Sequence, residues 1–250
     1  IWVGKFELTG TTTNPTIKPN ITSLRNQNVS TLFLTTQKLS ASSAMLKNIE
    51  WGAVAYLTTS IYGQGLMEVR INNSNQYITG CSASLENGAS YNGCENTYNA
   101  PIGYLASTTG NISGIYDMSG GAWEYVMAVL EDSLDSNIPV SGRDITYNSG
   151  FTGKTTGTVA NITGISFPEG KYYDIYKYGT NRSDYTRYHS GEATTETKSW
   201  NGDCAYFVCS SAPWFGRGGN CGDGVGAGVF AFVDLYGFAR SDYSTRVVLR

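Results

Sequence analysis

Five cysteines and a single histidine are the residues of this 250-residue chain whose spacing bears most directly on chemistry. They are Cys81, Cys94, Cys204, Cys209, Cys221 and His189. Neither the C-x12-C nor the C-x4-C spacing is that of a zinc knuckle. Short loops of this kind favour disulfides in an oxidising compartment, Cys81 with Cys94 and Cys204 with Cys209, which leaves Cys221 over. Metal binding is the competing interpretation.

Two acidic residues, Asp117 and Glu124, lie in and just after a glycine-rich stretch. Paired carboxyls can act as general acid and base, but two acids together are common and the one histidine is distant in sequence. In a loop-rich core, carboxyls also accept hydrogen bonds from backbone and side-chain donors. We therefore predict that both residues are structural.

The composition is typical of a secreted or cell-surface domain. Hydrophobic residues make up 40% of the chain, charged residues 15%, and the net charge is -3. Because there is no basic excess, nucleic acid and anionic membranes are not expected partners. No apolar run is long enough to span a bilayer, so we expect a domain that is not membrane-embedded. The start at Ile1, without an initiator Met, is interpreted as trimmed, with any signal or anchor removed.

The apolar pattern indicates the elements that position these groups. Alternation over residues 2–10 predicts a strand, followed by a connector over 11–28. Helical spacing from about Ala41 to Leu57 predicts a helix capped by serine 40, 42 or 43. The segment from Leu66 to Thr79 is strand-like in its Glu-Val-Arg-Ile stretch and then turns on two asparagines.

Further along the chain, loops dominate. Residues 80–110 are rich in Gly, Asn and Ser and predict a long ordered loop closed by Cys81 and Cys94. A glycine-rich turn then leads to residues expected in the core, namely Trp123, Tyr125, Val126 and Val129. Since no linker-like composition divides the chain, we predict one domain over residues 1–250.

Four segments carry a resemblance to a known family. They are WVGKFELT (Trp2 to Thr9), NIEWGAVAYL (Asn48 to Leu57), GIYDMSGGAWEYV (Gly114 to Val126) and FGRGG with RVVL (Phe215 to Leu249). In order and spacing they resemble the formylglycine-generating-enzyme, or sulfatase-modifying-factor, branch of the C-type lectin-like fold. The resemblance implies a loop-rich α+β domain with that fold.

The resemblance does not extend to the catalytic chemistry of that branch. Its copper-binding cysteines follow the Arg-Gly-Gly segment, whereas here the C-x4-C pair precedes Arg217 and only Cys221 follows it. Gly121 and Tyr125 also stand where the family signature has Asn and a second Trp, which weakens any inference of bound calcium. We therefore expect no catalytic residue, no metal and no cofactor.

The end of the chain has a distinct composition. After Lys198 there is no Lys, Glu, Gln or Met, although the first 198 residues contain 26 of these. The types that do occur are those produced when the adenines of Asn or Tyr codons are replaced at random, with Trp200 and Trp214 constant. This pattern resembles the variable region of the target proteins of diversity-generating retroelements, which display variable residues on the same lectin-like fold.

We therefore predict a variable ligand-binding region over residues 199–250. Three constant-looking segments interrupt it and are expected to pack in the core, namely residues 215–219, 227–232 and 246–249. The positions expected to be exposed and ligand-binding are Cys221, Gly222, Asp223, Val225, Gly226, Val233, Asp234, Leu235, Tyr236, Phe238, Arg240, Ser241, Asp242 and Tyr243. Tyrosine and arginine are enriched at binding hot spots. An inert glycine-rich tail is the competing interpretation.

Together these features imply an adhesin-like protein on a bacterial surface or a phage particle, with an unknown protein or glycan as its partner. Two alternatives stay open. One is a copper oxidase of the formylglycine-generating type, which would bind Cu(I) tightly. The other is a constant glycan-binding lectin, which would bind its glycan in a calcium-dependent manner.

Overall fold

The structure is a computed structural model that describes most of the chain. The described residues are 1–83, 90–130, 149–152, 165–166, 168–176, 202–208 and 212–250. Within them the chain is α+β and rich in loops, as the sequence predicts, with helices α1 (Val29–Thr36) and α2 (Asn48–Thr58). Neither helix has the length and apolar character needed to cross a bilayer. The strands are β1 (Trp2–Val3), β2 (Thr9–Gly10), β3 (Pro15–Thr16), β4 (Ser43–Met45), β5 (Cys81–Ser82), β6 (Asn96–Thr97), β7 (Trp123–Leu130), β8 (Phe151–Thr152), β9 (Ile165–Ser166), β10 (Asp174–Tyr176), β11 (Trp214–Arg217), β12 (Phe232–Leu235), β13 (Tyr243–Thr245) and β14 (Val247–Leu249).

A five-stranded sheet built around β7 is the largest sheet of the described residues. On one side β7 pairs antiparallel with β11, which pairs antiparallel with β12. On the other side β13 runs parallel to the first half of β7 and β10 runs parallel to its last residues. A separate three-stranded sheet, in the order β1-β14-β4, places Val3 opposite Val248 and so joins residues from both ends of the sequence.

The core lies on both faces of the large sheet. On one face, Trp51 and Val54 of α2 pack with Phe215 and Phe232 of the sheet. On the other face, residues of α1 pack with Trp214 and with alternate residues of β7, namely Tyr125, Met127 and Val129. The alternation follows from the two-residue period of a strand, so the odd-numbered residues here share one face.

The helix predicted from Ala41 to Leu57 is wrong in its first part. Residues 43–45 form β4, which pairs with β14, and the helix begins only at Asn48. The Ser43 hydroxyl group donates to the carbonyl oxygens of Ser40 and of Thr36, the last residue of α1, so it closes the turn after α1 and does not cap α2. The N-terminal end of α2 is capped by Glu50, whose carboxylate accepts the backbone N–H of Lys47 at 2.9 Å.

Two further segments differ from the sequence prediction. Residues 29–36 form α1, a helix that the apolar pattern does not predict. Its first turn is capped by the Asn28 side chain, which accepts from the backbone N–H of Thr31. The segment from Leu66 to Thr79, which the sequence predicts to be strand-like, does not form a strand. Its backbone instead bonds to separate loops, as when the N–H of Arg70 donates to the carbonyl of Leu105.

The cysteines divide into a disulfide and free thiols. Cys81 and Cys94 form the predicted disulfide, with their Cα atoms 5.2 Å apart, and β5, which begins at Cys81, pairs antiparallel with β6, just after Cys94. Cys204 carries a free thiol in the part of the chain that the structure describes, whereas its predicted partner lies outside that part. Cys209 itself, like His189 and Trp200, lies outside the described residues.

A fully buried ion pair joins distant parts of the chain. The guanidinium group of Arg246 donates to both carboxylate oxygens of Glu124, and neither side chain is exposed to solvent. The same guanidinium donates to the carbonyl oxygens of Gly4 and Tyr116, each at 2.8 Å. One side chain thus ties the N-terminal segment, the start of β7 and the segment before β14 together.

Two other buried carboxyls surround this pair. Asp117 accepts from the side-chain amide of Asn72 and from the backbone N–H of Gly80, both at 2.8 Å, so its carboxyl braces these loops by hydrogen bonds. Glu7 accepts from the backbone N–H of Ala122 at 2.8 Å. Gly121, with φ of +73°, leaves room for that carboxyl, since a Cβ there would lie 2.3 Å from its oxygen. Burial, together with the nearby carboxyls of Asp117 and Glu124, raises the pKa of Glu7 well above its usual range.

Removing one member of the buried ion pair should strongly destabilise the fold. Glu124→Leu leaves the Arg246 guanidinium buried without its carboxylate, so we expect the free energy of unfolding to fall by about 3–5 kcal/mol in urea denaturation. Lys171→Met, which breaks an exposed pair with Glu169, is the control and should leave the unfolding free energy unchanged. Equal losses in both variants would contradict this role of the pair.

The raised pKa of Glu7 predicts a pH dependence of stability. Folded Glu7 keeps its proton at pH values where the unfolded chain has already released it, because the unfolded side chain titrates near the ordinary glutamic acid pKa. The stabilisation that this difference provides is complete at low pH. It is lost as pH rises through the folded pKa. We expect the free energy of unfolding to decrease as pH rises from the ordinary glutamic acid pKa towards the higher pKa of folded Glu7. Glu7→Gln, which keeps the acceptor for Ala122 but cannot ionise, should make that decrease smaller; an unchanged slope would contradict the assignment.

Candidate ligand-binding surface

Two exposed segments near the end of the chain carry most of the predicted binding positions. The first is the turn that follows β11, residues 220–226, and the second is the loop between β12 and β13, residues 236–242. We call them the 220–226 turn and the 236–242 loop. Between them lies β12, which carries the predicted positions Val233, Asp234 and Leu235.

The 236–242 loop is held through its backbone carbonyl groups. Five of its carbonyl oxygens accept hydrogen bonds from donors that lie outside the variable region. The pairs, donor first, are Val29 N to Gly237 O (3.2 Å), Tyr125 Oη to Phe238 O (3.0 Å), Asn26 N to Arg240 O (2.9 Å), Arg25 Nη1 to Ser241 O, and Trp123 N to Asp242 O (2.9 Å). We call this set the carbonyl clamp. It fixes the path of the loop through groups that every amino acid possesses.

One loop position is restricted by its surroundings. Gly237 has φ of +88°, and a Cβ there would lie 2.7 Å from the ring of Trp214. Both the positive φ and the lack of space for a Cβ therefore exclude an L-residue with a side chain at this position. This position was not among the predicted variable residues, which agrees with its packing.

Side chains of the 236–242 loop project from this fixed backbone. Tyr236, Arg240 and Ser241 are exposed, while Phe238 and Asp242 are half-buried. The rings of Tyr236 and Phe238 stack with their centroids 5.5 Å apart. The guanidinium group of Arg240 donates to both oxygens of Asp242 at 2.9 and 3.0 Å, and this pairing raises the pKa of Arg240. The loop therefore offers aromatic faces beside a charge pair.

The 220–226 turn is also held by backbone hydrogen bonds. The N–H of Cys221 donates to the carbonyl of Gly121 at 2.9 Å, and the N–H of Cys204 donates to that of Gly226 at 2.9 Å. Within the turn, the side chain of Asp223 accepts from the N–H of Asn220 at 2.8 Å. The exposed predicted positions of the turn are Gly222, Asp223 and Val225, with Gly226 half-buried.

Two residues from outside the variable region connect the turn and the loop. The guanidinium carbon of Arg25 lies 3.9 Å from the ring centroid of Tyr77, and Arg25 also donates to the carbonyl of Ser241. The Tyr77 hydroxyl lies close enough to the Cys221 thiol to lower the pKa of that thiol, although burial raises it more. Arg25 and Tyr77 are therefore part of the candidate surface, although nothing in their sequence surroundings indicated it.

The carboxyl of Asp223, in the turn, lies near the carboxyl of Asp242, in the loop. Asp223 is exposed as a whole, but its carboxyl is partly desolvated, which raises its pKa, and the nearby carboxylate of Asp242 raises it further. The turn and the loop therefore form one continuous candidate surface with an acidic side chain from each segment.

Three of the predicted exposed positions are wrong, because Cys221, Leu235 and Tyr243 are buried. Leu235 lies opposite Trp214 in the sheet and belongs to the same apolar cluster. Tyr243 packs against Tyr125 in an edge-to-face contact, with ring centroids 5.2 Å apart. Burial raises the pKa of Tyr243 to about 12 and also raises that of the Cys221 thiol. These side chains support the surface from below.

The predicted core segments are largely confirmed. Residues 215–219 and 227–232 are buried throughout, as are Arg246, Val247 and Val248. Leu249 is the exception and is exposed. Arg217 is fully buried with its guanidinium carbon 5.1 Å from the Phe232 ring, and burial lowers its pKa to about 9.

The geometry gives little support to nucleophilic or metal chemistry at this surface. Burial raises the pKa of the Cys204 thiol to about 11, which disfavours the thiolate. In the part of the chain that the structure describes, no group of three or more His, Cys, Asp or Glu side chains is arranged to hold a metal ion. What the surface offers is aromatic area, hydrogen-bonding groups and charge, which are the means of non-covalent binding.

No protein-family model matches the chain, and no curated protein matches it in sequence.

The carbonyl clamp predicts that buried donors matter more for stability than exposed side chains of the loop. Tyr125→Phe removes the hydroxyl that donates to the Phe238 carbonyl, so we expect a loss of about 0.5–1.5 kcal/mol in the free energy of unfolding. Ser241→Ala, at an exposed position, should change it by less than about 0.5 kcal/mol. Urea denaturation of both variants checks this, and a larger loss for Ser241→Ala than for Tyr125→Phe would contradict the clamp.

Proposed function

We propose that this chain is a ligand-binding protein displayed on a bacterial cell or a phage particle. Its ligand, a protein or a glycan, contacts the 220–226 turn and the 236–242 loop. We further propose that residues 199–250 are diversified by a retroelement, so that related copies bind different ligands. Binding, and not catalysis, is the activity of the domain.

The observation that carries this proposal is the carbonyl clamp. Its donors come from segments before residue 199, and its acceptors are backbone oxygens of the loop. Because backbone carbonyls are present whatever the side chain, residues at positions such as Tyr236 and Arg240 can change without loss of the loop conformation. A surface built for a single ligand does not need this separation.

The composition of the region supports the same proposal. Lys, Glu, Gln and Met are absent from the last 52 residues, and replaced adenines in Asn or Tyr codons would not produce them. The segments with a constant character are buried except for Leu249, and the exposed predicted positions lie between them together with the buried Cys221, Leu235 and Tyr243. Side chains that vary at random are tolerated only where they face solvent.

We assign the domain to the C-type lectin-like fold, in the formylglycine-generating-enzyme branch. The support is that the four resembling segments contact each other. Arg246, at the start of RVVL in the fourth segment, bonds to Gly4 in the first and to Tyr116 and Glu124 in the third. Trp51 of the second donates its ring N–H to the Val229 carbonyl within the closing segment.

A pair of displayed libraries tests the proposed function. The surface library randomises six exposed positions, Gly222, Asp223, Val225, Tyr236, Arg240 and Ser241. The matched control library randomises the three buried positions, Cys221, Leu235 and Tyr243. We expect most surface-library members to fold and selection on a purified test protein such as lysozyme to enrich binders, whereas most control members should fail to fold.

Several results would contradict the proposal. One is a surface library that folds no better than the control library, or that gives no binders. Another is tight stoichiometric Cu(I) binding that is lost on Cys204→Ser, which would favour the oxidase alternative. Calcium-dependent glycan binding that survives all six substitutions would favour a constant lectin.

The DNA beside the gene gives an independent check of diversification. We expect a near-copy of the 3′ end of the coding sequence that differs from it only at adenines, next to a reverse transcriptase gene. Neighbouring DNA without such a copy would contradict the retroelement part of the proposal, while ligand binding could still hold.

A further inference from the structure

A second exposed surface lies at the end of α2 and in the turn that follows it. Its side chains are large and apolar, and they project into solvent: Ile61 is 92% exposed, Leu66 89% and Tyr62 78%, with Leu57 and Met67 also exposed. We call these five residues the apolar tip. Exposed apolar side chains concentrated within eleven residues of sequence are unusual on a soluble domain and mark interaction sites.

The segment that carries the apolar tip has no ionisable acid or base. Residues 51–67 contain no Asp, Glu, Lys, Arg or His. The next acidic residue, Glu68, is exposed and follows Met67 at the edge of the tip, and partial desolvation of its carboxyl raises its pKa. The five side chains of the tip themselves carry no charge whose removal from water would oppose entry into an apolar medium.

The polar side chains at the base of the apolar tip bond within the protein. The hydroxyl groups of Thr58, Thr59 and Ser60 donate to the carbonyl oxygens of Val54, Tyr56 and Leu57, respectively. The side-chain amide of Gln64 donates to the carbonyl oxygens of Leu105 and Ser107. These groups therefore need no water or partner to satisfy them.

Much of the backbone of the turn, although not the N–H groups of Ile61, Gly65 and Leu66, is satisfied in the same way. Six of its N–H groups have acceptors within residues 55–64, namely those of Thr59, Ser60, Tyr62, Gly63, Gln64 and Met67. A lipid interface, unlike a protein partner, supplies few hydrogen-bonding groups, so a segment that enters it must satisfy its own. This combination of apolar exposure, absent charge and internal hydrogen bonding fits a lipid surface.

We propose that the apolar tip inserts into the interface of a lipid bilayer and holds the domain at a membrane surface peripherally. Aliphatic side chains bury their area among the acyl chains, and Tyr62 suits the level of the headgroups. Because the tip carries no basic side chain, the attraction is to apolar lipid and not to anionic headgroups. None of its residues belongs to the 220–226 turn or the 236–242 loop, so this surface is additional to the proposed ligand-binding surface.

Flotation of the 250-residue chain with vesicles of zwitterionic phosphatidylcholine tests the proposal. We expect the unmodified protein to float with the vesicles and the bound fraction to be the same at about 0.1 M and about 1 M salt, since no charge attraction is involved. The double variant Ile61→Asp/Leu66→Asp should reduce the partition coefficient at least about tenfold. Ile112→Asp, at an exposed apolar position outside the tip, is the matched control and should bind as the unmodified protein does.

The folded state of each variant is checked by its thermal unfolding midpoint. We expect no change, because Ile61 and Leu66 are almost fully exposed. Absence of vesicle binding by the unmodified protein, or equal binding by the double variant, would overturn the proposal. So would a concentration-dependent dimer in sedimentation velocity that the double variant abolishes, because the tip would then be an interface between two copies of this chain.

Discussion

The buried contact between Arg246 and Glu124 is the interaction on which the other parts of the structure depend. It holds the start of β7, where Glu124 lies, close to β14. Through the Gly4 carbonyl it also holds the N-terminal segment close to both. Because Trp123 and Tyr125 flank Glu124 on β7, the same contact fixes two donors of the carbonyl clamp. A displacement of the ion pair would therefore move the loop that carries the candidate ligand contacts.

The candidate surface separates two requirements that usually conflict. A binding loop must have a defined conformation, and a diversified loop must accept many sequences. The carbonyl clamp meets the first requirement through backbone oxygens, which leaves exposed side chains such as Arg240 free to change. Buried side chains such as Leu235 and Tyr243 lack this freedom, because a change in their volume alters the packing beneath the loop.

The sequence predicts features that depend on local pattern and fails where distant segments meet. The disulfide between Cys81 and Cys94 and the core residues of β7 follow from spacing and apolar alternation. The sequence predicts the start of α2 too early, because residues 43–45 pair as a strand with β14, some two hundred residues later. Similarly, Arg25 and Tyr77 reach the candidate surface only through folding, so their types and spacing carried no signal.

The central claim is that residues outside the variable region set the conformation of the 236–242 loop. A crystal structure of a variant with all six exposed positions replaced at once tests this most directly. We predict that the loop backbone keeps its path and that all five clamp hydrogen bonds persist, from Val29, Tyr125, Asn26, Arg25 and Trp123. A folded variant in which the loop takes a new path and these bonds are lost would contradict the account.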